Sequence, residues 1–177
     1  MATNADVQDL IEKMTQERQA LLALLDGIDE ERAEYQPPDQ AGEEGWSVKE
    51  QLSHLAEMET RYRAWVERAL AEESPDLSGT AVDPVAYPLE DAHDATVSQH
   101  VAELLDQRAR TLAVIEGIVP SDYDRTASHQ SFGTLSVLQW LRSYYRHDRM
   151  HRAQIEGREP DYKPNFANGE PDQRRRR

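Results

Sequence analysis

Two short runs, Ser47-Val48-Lys49-Glu50 and Thr96-Val97-Ser98-Gln99, constrain the fold of this 177-residue chain most tightly. Each reads as a capping box, in which a hydroxyl and an acid or amide three residues later satisfy the free amides of a helix's first turn. Each opens a stretch with apolar residues at helical spacing, and no convincing run of strand alternation occurs anywhere.

Four helical segments follow from that spacing. The first runs from about Asp6 to Leu25, with Leu10, Met14, Leu21, Leu24 and Ile28 near one face, and Gly27 and Pro37-Pro38 mark its end. The second runs from its Ser47 cap to about Ala71, and the third from Thr96 through Leu104 and Ile115 to Gly117. The fourth begins near Thr134 and ends at Glu156, before Gly157 and Pro160. Between the second and third, Ser74 to Pro88 carries Pro75, Gly79, Pro84 and Pro88, which predicts a long loop able to cover part of a site. These elements predict an all-α four-helix bundle spanning residues 1–160, with residues 161–177 an extended or disordered tail. The tail closes on Arg174 to Arg177, a solvated basic run or a contact for an anionic partner.

Chemistry is suggested by three histidines. His147 and His151 are four residues apart on the fourth segment, so both imidazoles can address one point. Projection of the second segment puts His54 at the edge of its apolar arc. Three imidazoles leave a divalent ion open positions for water or substrate, although histidines at a bundle's rim also serve as hydrogen-bonded structural groups. Glu57, three residues after His54, can act as a base or an acceptor behind a ligand, or be a solvated charge. Asp148 projects away from its neighbour His147 and is better placed to orient than to ligate. His93, His100 and His129 fall in loops or on polar faces, where solvated roles are expected. Tyr62, Trp65, Trp140 and Tyr144 are core aromatics that could also line a cleft.

The segment Gly45-Trp46-Ser47 leading to His54, and Gly133-Thr134-Leu135-Ser136-Val137 leading to His147 and His151, resemble the DinB and YfiT-like metal-dependent bundles. The resemblance covers nearly the whole chain up to Gly157. It implies up-down-down-up connectivity with the long loop as crossover, a divalent metal (zinc, nickel or iron) on His54, His147 and His151, and a homodimer. It also implies a metal-dependent enzyme acting on a small molecule, in the leading reading a transferase that joins a low-molecular-weight thiol to a small electrophile, with a metal-dependent hydrolase and a non-catalytic metal-binding stress-response module as the alternatives. Members of the family transfer low-molecular-weight thiols such as bacillithiol or mycothiol to small electrophiles, hydrolyse substrates, or hold metal without known turnover.

Composition narrows the alternatives. With 34 acidic against 20 basic residues the net charge is -14, which opposes binding to nucleic acid or an anionic membrane surface. The absence of cysteine removes disulfides, thiolate ligands and a cysteine nucleophile, so thiol chemistry would need an external thiol. The residues from Met1 to Asp6 lack signal-peptide features and no run is long enough to span a bilayer, so a cytoplasmic protein is expected.

Overall fold

All four long helices begin with a capping box: Thr3 with Asp6, Ser47 with Glu50, Thr96 with Gln99 and Ser136 with Gln139. In the computed structural model, which describes residues 2–38, 42–79 and 88–167, these caps open α1 (Asn4–Leu25), α3 (Val48–Ala71), α4 (Val97–Glu116) and α5 (Val137–Ile155). A short α2 (Glu30–Glu34) lies between α1 and α3. The helices make an up-down-down-up bundle, as the resemblance implied, with residues 72–96 connecting α3 to α4. Helix α1 packs on α5, α5 on α3 and α3 on α4, and a slimmer contact between α4 and α1 closes the ring. Among the described residues no helix is long and apolar enough to cross a membrane.

The start of the last helix differs from the sequence expectation. Thr134 lies in a strand, β2 (Gly133–Ser136), paired antiparallel with β1 (Thr126–His129) in the register Thr126 to Ser136 and His129 to Gly133. Each strand has four residues, too few to display a period of two. Ser136 ends the strand and caps α5, and the Val137 amide donates to the Arg125 carbonyl at 2.8 Å, so the hairpin fixes where α5 begins. Pro75 and Leu77 from the loop after α3 bond to Ser128 on the other edge of β1. Much of that loop's expected covering role falls on residues 80–87, outside the described residues.

The apolar interior forms two clusters. One holds Leu10, Met14, Met58, Trp65, Ile115 and Trp140, and the other Leu21, Leu25, Leu52, Leu55, Val97 and Leu104. Along every long helix the change from one cluster to the other falls near a buried charge: Arg18 on α1, Glu59 on α3, Arg108 on α4 and Asp148 on α5. Beyond α5, the described part of the tail lacks regular structure, but it is anchored. Phe166 lies 5.5 Å from Phe132, and the Ala167 amide donates to Ser131 at 2.7 Å. The terminal arginine run lies outside the described residues.

Gly133 turns the hairpin at φ +71°, and a Cβ there meets nothing within 4 Å. Gly133→Ala should therefore lose only the left-handed backbone penalty, about 1 kcal/mol. Urea unfolding checks this, and a loss of several kcal/mol would show that the turn is held by more than its backbone conformation.

Candidate metal centre

Helix α3 supplies His54, and α5 supplies His147 and His151 on successive turns, so one point receives side chains from two helices. His54 Nε2 is 3.2 Å from His147 Nε2, which is 3.0 Å from His151 Nε2. One ligand atom from each ring lies within 4.8 Å of the others. Two nitrogens bound to one ion at metal–nitrogen distances of roughly 2.1 Å stand about 3.0 to 3.4 Å apart, so the observed spacing suits a shared cation. His54 is 3% exposed rather than at the rim, because Trp46, entering α3 from the turn Gly42–Gly45, sets its ring edge-on at 5.1 Å.

The hydrogen bonds prepare a lone pair. Gln51 Nε2 donates to the Trp46 carbonyl at 3.3 Å, which turns its Oε1 toward His151 Nδ1 at 3.1 Å. Only an N–H can satisfy that oxygen, so His151 carries its proton on Nδ1 and presents Nε2 as an acceptor. Gln51 is one turn before His54 and has no spacing signature of its own, which is why the sequence does not mark it.

Burial controls the charge of all three rings. It lowers His147 to about 4, against an opposing pull from Asp148. Burial and then the neighbouring His147 hold His54 and His151 well below the ordinary histidine value. At neutral pH the triad is therefore uncharged and ready to ligate without first losing protons.

A carboxylate faces two of the three rings. Glu43 Oε1 lies 3.9 Å from His54 Nε2, and its Oε2 lies 3.9 Å from His151 Nε2. Its position before Trp46 on a tight turn carries no sequence signal, because only the folded turn aims it inward. Glu57 sits on α3 with its carboxylate held by Arg61 Nε at 2.8 Å. Tyr62 packs 6.0 Å from His147 and 5.6 Å from Tyr144, so the aromatic wall touches the triad through Tyr62. Burial raises both phenols, which are neutral at physiological pH. Trp65 and Trp140 stand deeper in the core.

Two histidines expected to be solvated are buried instead. His100 Nε2 donates to the Ala92 carbonyl at 2.8 Å, and His129 stacks on Trp65 at 5.0 Å while its Nδ1 accepts the Ser131 amide. Tertiary contacts of the hairpin and of the turn before α4 cover them. His93 remains partly exposed, 3.8 Å from Glu50.

Comparison with known proteins agrees with this architecture. A family model described as DinB superfamily matches residues 13–155. The uncharacterized protein YuaE of Bacillus subtilis is 27% identical over 142 residues, covering 74% of this chain and 85% of YuaE. The structure is similar to that of YfiT from Bacillus subtilis, described as a probable metal-dependent hydrolase with an unusual four-helix bundle topology. The TM-score is 0.73 at 18% identity, over 89% of this chain and 87% of YfiT.

The depressed histidines fix the sign of a pH dependence. Below about pH 6.5 the unfolded chain takes up protons that the buried rings refuse, so metal-free protein should lose stability as pH falls toward 4. His147 alone accounts for on the order of 3 kcal/mol across that window. Denaturation of metal-free protein from pH 8 to 4 should show this slope, and His147→Gln should flatten it; parallel slopes for the two proteins would refute burial of a neutral ring.

Proposed function

The chain belongs to the DinB superfamily, and from that premise we propose that it is a metal-dependent hydrolase of a small molecule, its divalent ion held by His54, His147 and His151. One observation supports the hydrolytic reading: the two oxygens of Glu43 lie 3.9 Å from ring nitrogens of His54 and His151, so a carboxylate able to accept a proton stands beside the three imidazoles. The likeness to YfiT, itself described as a probable metal-dependent hydrolase, supports the same reading.

A divalent ion held there would supply Lewis acidity, making water a better nucleophile and a carbonyl a better electrophile. Glu43 would take the proton released as a water oxygen attacks and return it to the leaving group when the substrate bond breaks. Gln51 keeps the His151 lone pair directed at the centre, and Tyr62 walls the centre off on the aromatic side. A cavity of about 350 Å³ is lined by Glu44, Gln154, Gly157, Arg158, Glu159 and Lys163, and neither the three histidines nor Glu43 are among its lining residues. Zinc, nickel and iron all suit an imidazole set.

A second reading, compatible with the lack of cysteine, is transfer of an external thiol. In transfer of a low-molecular-weight thiol, Glu43 would accept the thiol proton, and the sulfur would bond to a small electrophile as its leaving group departs. Glu57 is paired with Arg61, so it would serve as a base in either reaction only by leaving that ion pair. A metal-holding stress-response module would need no such base.

Protein purified without a metal-affinity tag should carry about one divalent ion per chain and lose it in His151→Ala. In Glu43→Gln, metal content should persist while turnover of small esters and amides falls about 10²- to 10⁴-fold. Turnover that appears only with added thiol would favour transfer, and an unaltered rate in Glu43→Gln would remove Glu43 from the chemistry.

A further inference from the structure

The four charges at the boundary between the apolar clusters form one network, with one member from each long helix. Arg18 donates from Nε to Asp148 Oδ2 at 3.0 Å and from Nη2 to Asp148 Oδ1 at 2.9 Å and Glu59 Oε2 at 2.7 Å. Arg108 donates from Nε to Glu59 Oε1 at 2.8 Å, and from Nη2 to Asp148 Oδ2 at 2.9 Å and Glu59 Oε2 at 3.3 Å. The arginines also reach backbone reciprocally: Arg18 of α1 bonds the Leu104 carbonyl of α4, and Arg108 of α4 bonds the Met14 carbonyl of α1. Every member is at most 5% exposed.

We propose that this tetrad is a positioning device for the metal centre, holding α5 at the rotation and depth against α3 at which the three imidazoles meet. The inference rests on the reading that His54, His147 and His151 bind a divalent ion.

Three observations lead to it. Stability alone is a weak reason for such a network, since well-packed apolar side chains in place of buried ion pairs are often equally or more stabilising. Its bonds are directional, whereas the hydrophobic driving force that gathers the clusters on either side is not; forked guanidinium–carboxylate pairs close only in one relative orientation of the helices. It also joins elements that pack least. Helices α1 and α3, like α4 and α5, stand across the bundle from one another, and Arg18–Glu59 and Arg108–Asp148 bridge those two diagonals.

The link to the centre is short. Asp148 follows His147 in the chain, so a one-residue rotation of α5, about 100°, would remove both histidines from the centre as it broke the network. Glu59 stands five residues after His54 on α3, so the same helix pair carries both the ligands and the acids. Arg18, Arg108 and Asp148 are therefore positioning residues, with Glu59 their partner on α3.

The test uses the full chain with Arg18→Met, Glu59→Leu, Arg108→Met and Asp148→Leu combined, titrated with Zn²⁺ and, for its visible spectrum, Co²⁺. The variant should stay helical with an unfolding midpoint near the wild type's, yet bind Zn²⁺ at least 10-fold more weakly and give an altered Co²⁺ spectrum. A purely structural network would leave both readouts unchanged, and that result overturns the proposal. Should the combined variant fail to fold, Arg108→Lys keeps the layer neutral but cannot fork, and the same loss of affinity and changed spectrum are expected of it. Wild-type binding of Zn²⁺ equalled by the folded variant overturns only the positioning role, whereas wild-type protein that binds neither ion overturns the metal reading and this one with it.

Discussion

Removing a guanidinium or a carboxylate from water is among the larger penalties a fold can incur, and this bundle does so four times in one layer. The penalty is offset because Arg18 and Arg108 face Glu59 and Asp148, two charges of each sign, with the guanidinium groups also bonded to backbone carbonyls. Burial opposes ionisation of Asp148, but Arg108 and Arg18 hold its carboxyl below the ordinary aspartate value. No long helix can be turned or withdrawn without stranding a buried charge. The two apolar clusters thus share one register, set where they meet.

The histidine centre follows from the same register but is stabilised differently. Three neutral imidazoles crowd at about hydrogen-bonding distance, and Gln51 orients at least one so that its lone pair faces the others. Lone pairs aimed at one another gain little from each other and much from a cation. The acidic chain, at net charge -14, concentrates cations around itself and repels polyanions, so its electrostatics favour an ion over a nucleic acid.

Membership of a superfamily accounts for the bundle, while any reaction depends on the groups around the three histidines. Here the distinguishing group is Glu43, carried on a turn of Gly42–Gly45 that also delivers Trp46 against His54. Tyr62, kept neutral by burial, packs against His147. On the proposed reading, that carboxylate and the neutral phenol suit a proton transfer that starts from a polarised nucleophile.

The helices were legible in the chain because their signals are local. A cap such as Ser47 with Glu50, the i, i+4 spacing of His147 and His151, and apolar residues repeating every three or four positions each act within one or two turns. The same locality let His54 be paired with α5 once its resemblance to a family motif was joined to it. The hairpin was hidden because four-residue strands carry no period, and the cover over His100 and His129 because it comes from neighbouring turns and loops. What only the tertiary structure decided was which distant residues face each other. Arg18 meets Asp148 across 130 positions, and Gln51 meets His151 across 100. Side-chain type says that such groups need partners, but the choice of partner depends on the rotation of every helix at once, which no local pattern encodes.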